Sequence, residues 1–129
     1  MGLDMYAWKT KAKDLEDGQE PLADWRKHNR LHGYMEELWH DKGKPNSNDD
    51  IPEVFNCVPL ELTKEDIKDL KATILTRALP ETQGFFFGRD SYDWSKDELD
   101  EADEYDLNFC EKALTAIGEG YKVHYNSWW

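Results

Sequence analysis

Residues 21–41 read PLADWRKHNRLHGYMEELWHD, and the fold turns on how this stretch is taken. Pro21 suits the first turn of a helix, where its missing N–H costs nothing. Leu22, Trp25, Leu31, Tyr34, Met35, Leu38 and Trp39 supply the apolar positions. Positions 22, 25, 29, 32, 35 and 39 then advance by three or four, one face of a helix. The spacing predicts a helix from Pro21 to about Asp41, stopped at Gly43. Two members of that stripe, Asn29 and His32, are polar residues on a face that otherwise wants to be dry.

Outward from this helix, strand and helix signals alternate. Before it, Leu3, Met5 and Ala7 alternate with Asp4, Tyr6 and Trp8, which predicts a short strand, and Lys9 to Glu20 reads as a charged loop. After it, KGKPNSNDDIPE (42–53) is loop chemistry. Val54 to Val58 reads as a strand that Pro59 places at a sheet edge or ends. Thr63 with Asp66 three residues on is a variant capping box, followed by Ile67, Leu70, Ile74, Leu75 and Ala78 at helical spacing and a stop at Pro80. Gly84-Phe85-Phe86-Phe87-Gly88 is apolar on both faces, as a central strand would be. Ser95 and Glu98 form a full capping box for a third helix with the stripe Leu107, Cys110, Leu114 and Ile117, a weak point between Asp103 and Asp106, and an end at Gly118 and Gly120. Val123, Tyr125 and Ser127 alternate with His124, Asn126 and Trp128 in a last strand. The expected fold is therefore α+β: two layers, a mixed sheet of about four strands, and three helices in the order β-α-β-α-β-α-β, mainly on one face. One domain spanning 1–129 is expected.

Composition narrows the partners. Sixteen basic against 28 acidic residues give a net charge of −12, which opposes nucleic acid or an anionic membrane and suits a basic protein partner. Six Trp, six Tyr and five Phe predict an ordered core rather than a disordered acidic tail. No apolar run is long enough to span a bilayer, and the start has neither the basic nor the apolar region of a signal peptide. The opening resembles a myristoylation site, but Tyr6 stands where Ser or Thr is wanted. Cys57 and Cys110 make no disulfide framework, which points to a cytoplasm with reduced thiols.

The blocks MGLDMY (1–6), WRKHNRLH (25–32), GFFFG (84–88) and YNSW (125–128), taken in this order, resemble a family of small uncharacterised bacteriophage and prophage proteins. The family's tail more often has Ser where this chain has Asn126. The resemblance implies a phage or bacterial origin and carries no activity. The chain has no nucleotide fingerprint or P-loop, and no cofactor is expected.

Candidate ligand-binding residues follow from the polar positions. Arg26, Asn29 and His32 would share the first helix, with Arg26 holding an anion and His32 titrating or donating; a satisfied buried network is the plainer alternative. Cys57 would need His32 or His124 beside it to act as a nucleophile, and an inert buried thiol is the simpler expectation. Cys110 belongs to the core. His28, His32, Glu36 and His40 step by four but drift around the helix, so no metal site is expected. Of the terminal rings Trp128 and Trp129, one should pack and the other, if exposed, should mark a protein contact. The ten acids between Asp90 and Glu111 read as a solvated helix face, with mimicry of nucleic-acid charge the sharper alternative. The leading expectation is a non-enzymatic accessory protein that binds a homodimer partner or a basic host protein. The alternative is a small-molecule binder or small enzyme with a polar pocket around the first helix.

Overall fold

The structure, a computed structural model, describes residues 3–11, 19–47, 49–79 and 96–129, with the backbone alone at 96–99. These residues form an α+β fold of four strands and three helices: β1 (Asp4–Thr10), β2 (Glu20–Arg26), α1 (Asn29–Asp41), β3 (Leu60–Leu62), α2 (Lys64–Leu75), α3 (Lys96–Gly118) and β4 (Lys122–Trp128). The sheet order is β2-β1-β4-β3. Among the described strands every neighbouring pair is antiparallel, where a mixed sheet was expected. Alternation decides this: Leu3, Met5 and Ala7 are buried in the core, and across the ladder Met5 faces Ser127 while Ala7 faces Tyr125. Strands with one wet face pair in this way without crossover helices. The last strand of the chain thus lies inside the sheet, between β1 and β3.

The largest correction falls on residues 20–26, which form an edge strand and not the first two turns of a helix. Trp25 points to the core in both readings, because a step of three and alternation agree at this one residue. Asp24 and Arg26, on either side of it, are exposed, as alternation requires. Pro21 sits opposite Trp8, beside a register shift between Ala7 and Trp8, and an edge strand at an irregularity is where a residue without an N–H is tolerated. Lys27 then adopts a left-handed φ of 55° and ends the strand, its N–H donating to the Leu3 carbonyl at 2.8 Å. The helix starts only at Asn29, capped by His28, whose Nδ1 accepts from the Leu31 N–H at 3.4 Å. At its far end Gly43 has φ 84° and hands the chain out of the helix, with the Lys44 N–H donating to the Trp39 carbonyl at 2.8 Å.

The strand expected at Val54–Val58 is instead an irregular segment, and the ladder forms just past Pro59, where Leu60 faces Tyr125 and Leu62 faces Val123. The segment still joins the sheet's end. The Cys57 N–H donates to the Ser127 carbonyl at 2.8 Å, and Asn56 bonds both the N–H and the carbonyl of Trp129 at 3.0 Å. Both sheet edges are covered in part. Lys42 Nζ donates to the Glu61 carbonyl at 2.8 Å, and the Tyr105 hydroxyl bonds the Asp24 N–H at 3.1 Å and its carbonyl at 2.9 Å. Such covering blocks further strand addition.

Helix α2 begins as its sequence predicts, with the Asp66 N–H donating to Thr63 Oγ1 at 3.2 Å and the Thr63 N–H to Asp66 Oδ2 at 2.8 Å. Burial alone would raise the Asp66 carboxyl, but Lys42 and Thr63 together hold it below the usual carboxylate range. Thr63→Ala is expected to lower stability by about 1 kcal/mol in urea unfolding, the ordinary loss of an N-cap. The helix ends at Leu75, before Ala78, and Leu75 is exposed rather than part of the apolar stripe. Helix α3 runs without a break through Asp103–Asp106. Its buried face is Asp106, Phe109, Cys110, Ala113 and Ala116, turned from the expected stripe so that Leu107, Leu114 and Ile117 are only half-buried. The expected strand at Gly84–Gly88, the Ser95 cap and the Pro80 stop lie outside the described residues.

All three helices feed one core. Leu31, Met35 and Trp39 of α1, Ile67, Leu70 and Ile74 of α2, and Phe109 and Ala113 of α3 pack with Met5, Leu60, Val123 and Tyr125 of the sheet. The helices therefore lie against one face of the sheet, giving two layers. None of the described helices is long and apolar enough to cross a membrane.

Candidate functional site

Asn29 and His32 both project inward, at 6% and 0% exposure. His32 ends in an aromatic nest: its ring stacks on Phe55 at 5.4 Å and meets Trp129 edge-on at 6.4 Å. Its Nδ1 shares a hydrogen bond of 2.8 Å with the Tyr125 hydroxyl. Burial lowers the imidazole pKa to about 4 and lifts the Tyr125 phenol well above its ordinary value, so both groups are neutral over the physiological range. Phe55 also stacks on Trp39 at 5.0 Å, which continues the nest into α1.

The other expected ligand-binding residues lie elsewhere. Arg26 is on β2, not on the helix, and is exposed with Asp4 3.7 Å away. Cys57 is exposed rather than buried, and takes a left-handed φ of 58°. His124 points to the opposite face of β4 from Tyr125 and stacks on Trp8 at 5.5 Å. Burial lowers its pKa. Arg26 and His124 thus do not project into the His32 nest, and Cys57, two residues from the Phe55 that stacks on His32, opens to solvent. Cys110 is in the core as expected, and burial, with Asp106 and Glu111 nearby, pushes its thiol up to about 12. Among the described residues no three His, Cys, Asp or Glu side chains gather as a metal site would need.

The structure adds a buried polar knot that the sequence did not announce. Asp106, 1% exposed, accepts from Trp25 Nε1 through Oδ1 and from His28 Nε2 through Oδ2, both at 2.7 Å. Since His28 Nδ1 accepts from Leu31, the ring proton sits on Nε2. One carboxylate thereby ties the end of β2 and the cap of α1 to the middle of α3. A cavity of about 280 Å³ opens beside it, lined by Trp25, Arg26, His28, Tyr105 and Asp106 among others. With both ring nitrogens bonded within the fold, His28 and Asp106 brace three elements against one another. Its one sequence signal is that Asp106 stands one helical step before Phe109 and Cys110 in the buried stripe. The neighbouring acids hid it. Asp100 and Asp103 pair with Arg77 of the segment after α2, at 2.7 and 3.2 Å, and Glu111 pairs with Lys71 at 2.5 Å. The acidic helix is therefore bound along one side to its neighbour and is not a uniformly free array of charge.

On the sheet face away from the helices, Tyr6 and Trp8 of β1 stand beside Asn126 and Trp128 of β4 and Asp24 of β2. Trp8 and His124 are buried there, while Tyr6 is 45% and Trp128 63% exposed. A groove of about 630 Å³ crosses β1 and β2, lined by Tyr6, Trp8, Pro21, Asp24, Tyr105 and Asn126 among others. The terminal tryptophans divide as expected. Trp129 is anchored by its indole N–H to the Phe55 carbonyl at 3.0 Å, and Trp128, one residue earlier in the pleat, faces solvent.

The chain matches no protein-family model, no curated protein and no solved structure.

Proposed function

We propose that this protein is a non-enzymatic binding module that engages a partner protein through the sheet face carrying Trp128 and Tyr6. The observation that carries the reading is Trp128: a large ring, 63% exposed, held on a fully laddered strand. Tyr6 lies diagonally across the ladder from it on the same face, within reach of one partner surface. Rings fixed by a sheet bind with little loss of conformational freedom, and Trp and Tyr dominate binding energy in protein interfaces. The absence of catalysis is supported by the chemistry of the buried groups, since His28 is fully engaged, His32 is enclosed by aromatic rings and the Cys110 thiol is protonated. The resemblance to small phage and prophage proteins fits an accessory role in a host cytoplasm.

The test is Trp128→Ser. The variant should keep its urea-unfolding midpoint, because surface changes ordinarily shift stability by no more than about 0.5 kcal/mol. It should lose self-association in light scattering, or capture of the host partner in a pull-down. A strictly monomeric wild type that captures nothing defeats the proposal. A second reading, a small-molecule binder, draws on the groove, whose 630 Å³ falls within the usual range for ligand sites.

A further inference from the structure

We infer that the groove across β1 and β2 receives an arginine or lysine side chain of a basic polypeptide segment. This rests on the binding-module reading and names the partner's chemistry. The groove pairs rings with a carboxylate: Tyr6, Trp8 and Tyr105 line it together with Asp24. Tyr6 and Asp24 are ladder partners, and so are Trp8 and Pro21, so the groove floor is set by backbone pairing and not by mobile side chains. Tyr105 is fixed at the groove's edge, since its hydroxyl bonds both the N–H and the carbonyl of Asp24.

The charges around the groove select a cation. The Asp24 carboxylate has a hydroxyl, that of Tyr105, at 3.5 Å, and none of the described ion pairs includes it. Two bases of the groove strands face other groups: Arg26 lies 3.7 Å from Asp4, and Lys9 lies 4.0 Å from Glu20 and 4.4 Å from the centre of the Tyr121 ring. Glu101 and Glu104, exposed on α3 within a turn of Tyr105, add negative potential. The whole chain carries −12, which draws a basic partner and repels an anionic one. A guanidinium or ammonium placed between ring faces is attracted by their quadrupoles, and the carboxylate supplies a charge-assisted hydrogen bond. Arginine suits the site better than lysine, because its plane stacks on rings while its fork meets a carboxylate.

Calorimetric titration of the full chain with acetylated hexa-arginine amide at low salt tests this, with an uncharged hexaglutamine peptide as control. Hexa-arginine should bind and the glutamine peptide should not. Asp24→Asn removes one exposed charge at the groove and should weaken hexa-arginine about 10-fold. Glu37→Gln removes one exposed charge on α1, in the helix layer, and should change it less than 2-fold. No heat with hexa-arginine, or equal weakening by the two variants, overturns the inference. If Trp128→Ser abolishes partner capture while Asp24→Asn leaves hexa-arginine binding intact, the binding module stands and the cation site falls. If hexa-arginine binding depends on Asp24 but partner capture ignores Trp128, the cation site stands and the Trp128 surface falls.

Discussion

Asp106→Ala is expected to remove about 3–5 kcal/mol of stability, the largest effect of any single substitution considered. The carboxylate accepts two hydrogen bonds of 2.7 Å from side chains that are themselves buried, His28 at 6% and Trp25 at 9% exposure. Truncation leaves two donors without partners and a cavity between β2, α1 and α3. Each stranded donor costs about 1–3 kcal/mol. Against a total stability of roughly 5–15 kcal/mol for a domain, this brings the protein near its unfolding threshold. Asp106→Asn should cost less, about 2 kcal/mol, because the amide oxygen keeps one bond while its NH2 confronts the other donor. Urea unfolding followed by circular dichroism measures both. If the alanine variant loses under 1 kcal/mol, the knot is not a brace. A double cycle with His28→Ala then isolates the pair, and a coupling near zero would mean that the bond contributes nothing.

The second large effect is a loss of stability in acid that His32 controls. Its folded-state pKa of about 4 lies below the ordinary 6.5, so the folded protein resists a proton that the unfolded chain takes up readily. The sign follows directly. Above pH 6.5 neither state is protonated and the contribution is fully present. As the pH falls from 6.5 to 4, the unfolded state binds the proton alone and stability drops, by about 3 kcal/mol in full. His124, also lowered by burial, acts in the same direction, so the reading must come from a difference. His32→Gln should be the less stable protein at pH 7, having lost the stack on Phe55, and the gap to wild type should close by about 3 kcal/mol on going to pH 4. A gap independent of pH sinks the assignment. Should the variant fail to fold, the His32 ring resonances of the wild type serve instead, and titration near pH 6.5 would be the contrary result.

Much of this architecture is written in short-range pattern. The Thr63–Asp66 cap forms because its partners are three residues apart, and Gly43 turns the chain because it alone tolerates φ 84° without strain. Alternation sent Met5, Ala7, Val123 and Tyr125 to one face, and helical spacing turned Asn29 and His32 inward. These features depend on neighbours within about one turn or two pleats, so the chain specifies them before any long-range contact exists.

Tertiary contact decided the rest. Residues 21–26 satisfy a helical step and a strand alternation together at Trp25, and only pairing with β1 chose the strand. Asp106 was one acid in a run of acids until His28, 78 residues away, gave it a partner worth burying. Residues 54–58 do not ladder as their alternation suggested; Asn56 clasps Trp129 across the fold and β3 pairs only from Leu60. The groove joins β1, β2, α3 and β4, elements remote in sequence. Hydrogen bonds and burial between distant segments carry no local periodicity. For that reason the face of each element could be read residue by residue, while the brace and the groove exist only where the packed layers meet.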